Sequence, residues 1–194
     1  MFMNTKTVSV KKRTKSADTI VNRLMLDALI QLLKKKSISE ITVTDITEKA
    51  GVSRMSYYRN FSSKEEILTR HLDEIFNDYI EMVKEQNYRG SCFDAPYLLQ
   101  CFKYFVGQQK FLNCLLKIGM GDLILKHLTK YIMEFFYHDK TDIVLYYQLQ
   151  ALSGSIFNTY VAWQERNCRE SLEQMAEIVS AICRNVGILE PRAD

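Results

Sequence analysis

Arg54, Met55 and Ser56 are consecutive side chains of very different chemistry, and each suits one feature of a base-pair edge. A guanidinium forks onto guanine O6 and N7, a serine hydroxyl donates or accepts, and a methionine can lie against the thymine methyl. Such groups read sequence only when the first turn of a helix carries them into a major groove. The surrounding elements therefore decide whether that chemistry is available. Ser53, an N-cap residue type, stands directly before Arg54 and predicts a short helix over residues 54–60. Upstream, Thr42 with Asp45 predicts a second helix start. That helix runs through Val43, Ile46 and Ala50 and stops at Gly51, a residue suited to the left-handed conformation of a helix end. Val52 is a small apolar plug. Ser63 with Glu66 three residues on reads as a capping box opening the next helix. Two short helices joined by a tight Gly-Val-Ser turn make a helix-turn-helix.

The segment before this motif is also helical in period. Ile20, Val21, Leu24, Ala28, Leu29, Leu32 and Leu33 recur at three- and four-residue spacing. Lys34, Lys35 and Lys36 follow, cations that suit the negative end of a helix macrodipole. Residues 1–16 carry Lys6, Lys11, Lys12, Arg13 and Lys15 without an acid. They read as a basic flexible arm, either a solvated tail or a strand of charge following nucleic-acid phosphates. Charge divides the chain unevenly: residues 1–70 hold 14 Lys and Arg against 7 Asp and Glu, and residues 71–194 hold 12 against 16. A basic head on an acidic body places a polyanion at one end.

Over residues 42–68 the sequence resembles the TetR family of bacterial transcriptional regulators. The shared spacing is Thr42-Val43, Ile46, Ala50-Gly51-Val52-Ser53, then Tyr58, Phe61, Lys64 and Leu68. The wording around Ile41–Phe61 and Trp163–Val179 is similar to a branch common in Gram-positive bacteria. The resemblance implies a homodimer that binds a pseudo-palindromic operator in double-stranded DNA, usually as a repressor, under the control of a small apolar or amphipathic effector. A cytoplasmic protein with no cofactor and no membrane partner is implied too. Within the motif, Tyr58 resembles the family's phosphate-bonding tyrosine. Thr44, and Lys64 with the backbone amides at its helix start, resemble the other phosphate clamps. In the family the Tyr57 position often carries an apolar residue packing inward, so base contact and core are both open for it. The candidate DNA-contact set is Thr42, Thr44, Ser53, Arg54, Met55, Ser56, Tyr57, Tyr58, Asn60 and Lys64. A coregulator of the same fold that binds protein instead of an operator is the alternative, against which Arg54, Tyr58 and Lys64 argue.

The rest of the chain reads as a helical body. Seven Gly and two Pro in 194 residues are too few for a many-stranded sandwich or barrel. The expected fold class is all-α, with a three-helix DNA-binding domain over 17–70 and a helical ligand-binding and dimerisation domain over 71–194. The helix opened by Ser63 continues through Ile67, Leu68, Leu72, Ile75, Phe76, Tyr79 and Met82, and helical segments follow over 97–118, 121–137 and 143–165. Ser171 caps a last helix with Leu172, Met175, Ala176, Val179, Ile182, Cys183 and Val186 on its apolar face. Fifteen of the 22 aromatic residues fall between Phe93 and Trp163. The family resemblance implies an effector pocket in this body, with Phe102, Phe105, Phe111, Leu115, Met120, Tyr131 and Phe135 as candidate lining. Ile143 to Gln164 is a run of 22 residues without a charge, too polar for a simple membrane span and uncharged on both helix faces. Ala151, Gly154, Asn158 and Ala162 form a small-residue stripe on it. Together with Met175, Val179 and Ile182 of the last helix they are the candidate dimer interface, a four-helix arrangement across a two-fold axis, with wholly intramolecular burial as the alternative.

Enzyme chemistry finds little support in the residues. There is no nucleophile motif, phosphate loop or HExxH, and Gly119-Met120-Gly121 lacks a preceding strand. Cys92, Cys101, Cys114, Cys168 and Cys183 are odd in number and widely spaced, which fits reduced thiols rather than a disulfide framework. His71, His127 and His138 form no metal-binding cluster in sequence.

Overall fold

The computed structural model describes the backbone of residues 6–86 and 93–185, and the side chains within 19–85 and 93–184. Among the described residues the regular structure is helical throughout, as the scarcity of Gly and Pro requires. Backbone contacts divide the chain into two units at His71/Leu72.

The first unit holds α1 (Lys6–Leu33), a 3₁₀ turn (Ile38–Glu40), α2 (Val43–Ala50), α3 (Arg54–Asn60) and the first turns of α4 (Lys64–Gln86). Where an arm over residues 1–16 is expected, the backbone is already helical from Lys6, and residues 1–5 lie outside the described residues. No Gly or Pro interrupts Lys6–Leu33, and its Lys and Arg are good helix formers, so nothing in the covalent chain stops the helix at Ala17. Against α1 pack α2 and α3. Met25, Leu29, Ile41, Ile46 and Leu68 are buried.

The caps that hold the motif are formed as the residue types require. Thr42 Oγ1 accepts from the Asp45 amide at 3.1 Å, and the Asp45 carboxylate accepts from the Thr42 amide at 2.8 Å. Gly51 takes φ +65°, and the Val52 amide donates to the Thr47 carbonyl at 3.0 Å, ending α2. Ser53 Oγ accepts from the Ser56 amide at 3.1 Å. At α4, Ser63 Oγ accepts from the Glu66 amide at 3.1 Å, but the reciprocal half of the expected box differs. The Glu66 carboxylate takes the amide and hydroxyl of Ser62 instead, at 2.7 and 2.6 Å. It also accepts from Arg70 at 2.6 Å, so one acid ties the loop to the second turn of its own helix.

The second unit contains the rest of α4 with α5 (Ala95–Gly107), α6 (Gln109–Lys117), α7 (Gly121–Phe136), α8 (Ile143–Glu165) and α9 (Leu172–Asn185). Cys92 and Val186 lie outside the described residues. The single segment expected over 97–118 is two helices, broken at Gly107-Gln108, where Gly107 weakens the helix and the Gln108 amide turns back to Phe105. Asp94 caps α5 and Asp142 caps α8 through side-chain oxygens that accept from amides three residues on. In this unit α5 packs on α9 and α6, α7 on α6 and α8, and α8 on α9. No helix among the described residues is long and apolar enough to cross a membrane.

Candidate nucleic-acid interface and ligand cavity

A seven-residue helix cannot stand alone, and α3 is anchored by the residue that the sequence left ambiguous. Tyr57 is 2% exposed, with its ring 6.0 Å from Phe61, so its place in the DNA-contact set is corrected: it is core. Its neighbour Tyr58 is 65% exposed, and its ring meets Tyr57 edge-on at 5.3 Å. One ring fixes the helix and the next leaves it. Met55 is 78% exposed and Arg54 is exposed with it. Arg54, Met55, Tyr58 and Arg59 thus share the outer side of α3, at the i, i+1, i+4, i+5 spacing of one helical face. Arg59 was not singled out by sequence, although its spacing of four from Met55 was a readable signal.

Other members of the contact set are occupied by local structure. The hydroxyls of Thr42 and Ser53 act as caps, and Ser56 Oγ lies 3.0 Å from Ser53 Oγ. Asn60 donates from Nδ2 to the Ser56 carbonyl at 2.8 Å, while its own carbonyl accepts from Arg70 at 2.7 Å. Thr44 is half-buried in the first turn of α2. Lys64 has a structural use as well, because its ammonium donates to the Ile41 carbonyl at 2.8 Å and the Ser39 carbonyl at 3.3 Å. That cation clips the 3₁₀ turn to the start of α4. Lys64→Met should therefore lower stability by roughly 1–3 kcal/mol in urea denaturation, the range of a hydrogen bond from a charged group. A fall of about one in the salt slope of DNA binding, with stability unchanged, would instead make it a phosphate ligand.

Glu66 gives the domain a pH dependence. Hydrogen bonds from Ser62, then from Arg70, hold its carboxyl well down, to about 2. Its contribution is complete above the ordinary carboxylate pKa and is lost as pH falls from about 4.5 toward 2. Unfolding midpoints measured between pH 5 and pH 2.5 should fall more steeply for the native sequence than for Glu66→Gln. Parallel curves would remove Glu66 from the acid response.

In the second unit a cavity of about 70 Å³ lies among α4, α5, α6, α7 and α8. Phe102, Phe105 and Tyr131 line it as expected. Phe111 and Leu115 do not, being buried on another side of α6 from Leu112, which does. Met120 sits in the turn before α7, and Phe135 packs on Tyr131 at 4.8 Å without reaching the wall. Those four are corrections. Sequence reasoning missed Phe76 and Tyr79 of α4, and Leu98 and Cys101, which share one stripe of α5 with Phe102 and Phe105. Tyr97 and Tyr131 are joined hydroxyl to hydroxyl at 2.7 Å. Tyr79 bonds to both Tyr131 and Cys101, and burial pushes the Cys101 thiol up to about 11. Among the described residues no group of three or more His, Cys, Asp or Glu converges as a metal site.

The candidate dimer residues separate into two kinds. Ala151, Asn158 and Ala162 are exposed, and Gly154 is half-buried with nothing within 4 Å of where a Cβ would stand. Val144 and Tyr147, 63% and 65% exposed, extend that stripe toward the start of α8. Met175 and Val179 are corrected, because both are buried in their own protomer's core. Ile182 is half-buried, and the outward apolar residues of α9 are Ile178 and Ala181.

A capped short helix, anchored by Tyr57 and displaying Arg54, Met55 and Tyr58, defines the first unit as a helix-turn-helix DNA-binding domain. Residues 25–70 match the family model for bacterial regulatory proteins, tetR family. The chain is 43% identical over 54 residues to the uncharacterized HTH-type transcriptional regulator YvkB of Bacillus subtilis (strain 168), a match covering 26% of this chain and 29% of that protein. The aligned part thus spans under a third of that relative's length. A TetR transcriptional regulator from Streptococcus agalactiae 2603V superposes with a TM-score of 0.61 at 22% identity, covering 91% of this chain and 98% of that one. The dihydroxyacetone kinase operon activator DhaS gives 0.59 at 17% identity, over 89% and 99% of the two chains. The fatty acid degradation regulator FadR from Bacillus halodurans gives 0.54 at 18%, over 84% and 93%. These structural likenesses share the fold. Residues 25–70 are thus similar to the TetR family of helix-turn-helix transcriptional regulators, and the chain as a whole shares the fold of solved regulators of that type.

Proposed function

We propose that the protein acts as a homodimer on a pseudo-palindromic operator, placing α3 of each protomer in a major groove, and that a small molecule in the cavity releases it. The observation that carries the DNA reading is the outward row Arg54, Met55 and Tyr58 on a helix fixed from behind by Tyr57. Arg54 is the base reader in this scheme, and Tyr58 orients the helix on a phosphate. That row also weighs against the coregulator reading, which needs none of these groups on the surface. Dimerisation is supported by the exposed stripe Val144, Tyr147, Ala151, Gly154, Asn158 and Ala162, spaced by threes and fours along α8, with Ile178 on α9 beside it in sequence pattern. Apolar surface of this extent is costly to leave in water. The effector opposes DNA by preferring another conformation of the dimer, so DNA must weaken effector binding by the same factor.

The test is fluorescence anisotropy with duplexes tiled across the DNA upstream of the protein's own gene, in excess competitor DNA, followed by footprinting. Protection of two half-sites about 10 base pairs apart, or a multiple, is the expected result. Equal affinity for every duplex would leave only non-specific binding and defeat the operator reading.

A further inference from the structure

The outer side of α3 is ordered as well as exposed. A helix turns by about 100° per residue, which fixes where each outward side chain stands around the axis. Taking Arg54 as one edge of the exposed arc, Tyr58 follows at about 40°, Met55 at about 100° and Arg59 at about 140°. The two arginines therefore bound the face, with Met55 and Tyr58 between them. Tyr58 stands about 4.5 Å further along the axis, toward the end of the helix. Met55 holds the middle of the face at its leading turn. At 78% it is also the most exposed large hydrophobic side chain among the described residues.

The nearby polar side chains are engaged elsewhere. Ser56 Oγ lies 3.0 Å from Ser53 Oγ in the cap of the helix. The Asn60 amide donates to the Ser56 carbonyl at 2.8 Å, one turn back on its own helix. Neither stands at the centre of the arc.

A major groove sorts these positions by chemistry. Long guanidiniums at the edges of the arc reach a phosphate or fork onto a guanine, whereas the middle of the leading turn faces base edges. A thioether makes little of the donors and acceptors there. The apolar feature that a base pair presents in this groove is the C5 methyl of thymine. Contact between the two takes apolar surface of both out of water.

We infer that Met55 is a specificity-determining residue that covers a thymine methyl, so that each half-site carries a thymine in addition to the guanine read by Arg54. The inference rests on the operator reading proposed above and adds one chemical group to it.

The test uses the full-length protein and the duplex protected in footprinting of the DNA upstream of its own gene. Each thymine of that duplex is replaced in turn by deoxyuridine, which keeps the base pair and lacks only the methyl. At one position in each half-site the change should weaken binding about fourfold, the effect of one methyl-sized group, and at both together about fifteenfold. Met55→Ala should bind the unmodified duplex more weakly and no longer distinguish thymine from uracil at those positions. Its melting temperature should match that of the native sequence, since the side chain is exposed. Arg54→Ala should keep the uracil penalty while losing its own base preference. A native protein indifferent to uracil at every position overturns the inference. So does a Met55→Ala protein that keeps the penalty, because another residue then covers the methyl. A preferred duplex without methyl dependence defeats this inference alone, and the absence of any preferred duplex defeats the operator reading together with it.

Discussion

Tyr57→Ala and Tyr58→Ala, substitutions at adjacent positions, should have opposite consequences. Tyr57 is among the largest fully buried side chains, and removing such a ring from a core costs roughly 3–5 kcal/mol. For a domain of this size that is a large share of a total stability of about 5–15 kcal/mol, so Tyr57→Ala should unfold or nearly unfold the helix-turn-helix. Tyr58 is 65% exposed, and its replacement should leave stability within about 0.5 kcal/mol. It should instead weaken binding to every duplex alike, as a lost phosphate contact does. Arg54→Ala completes the set. It should cost roughly 1–3 kcal/mol on the preferred duplex and relax the preference at one base pair in each half-site. Urea denaturation and anisotropy on matched and single-mismatch duplexes separate the three. A base preference untouched by Arg54→Ala would take the readout away from that residue, and a Tyr58→Ala protein that loses stability like Tyr57→Ala would make both rings core.

Those residues also mark what the sequence could and could not disclose. Caps are local, since Thr42, Ser53 and Ser63 each reach an amide three residues away, and the spacing alone placed all three. The family spacing pointed to the helix-turn-helix for the same reason, because its geometry is carried within thirty residues. Tyr57 could not be assigned from type, since a phenol suits both a core and a groove, and only burial separated it from Tyr58. The structural use of Lys64 was hidden for a longer-range reason: its carbonyl partners Ser39 and Ile41 stand 25 and 23 residues away in the chain. In the body, aromatic content located the cavity's neighbourhood but not its wall. Phe111 and Leu112 are neighbours in α6, one in the core and one on the cavity, a distinction of about 100° of helix turn that composition does not contain. Met175 and Val179 were legible as apolar, and a stripe of apolar residues does not say whether its cover is the same chain or another.

Gly154→Leu should leave the protomer sound and abolish the dimer. The Cβ position at Gly154 has nothing within 4 Å in the protomer, so an added Cβ meets no clash there. Replacing a mid-helix glycine with leucine also improves helix propensity by roughly 0.5–1 kcal/mol, so protomer stability should hold or rise. Across a two-fold axis the same side chain would stand between two α8 helices whose stripe of Ala151, Gly154, Asn158 and Ala162 suits close approach. Both protomers carry the obstruction, so its cost is counted twice. Sedimentation at micromolar concentration should give a dimer for the native sequence and a monomer for Gly154→Leu. Operator affinity should fall by a factor on the order of 100 or more, because the second half-site is no longer held at high effective concentration. Met175→Ala supplies the contrast: it empties a core position and should cost about 2–5 kcal/mol of protomer stability. A Gly154→Leu protein that remains dimeric would move the interface off α8. A native protein that sediments as a monomer would leave Val144 and Tyr147 exposed for some other partner and remove the two-fold operator with them.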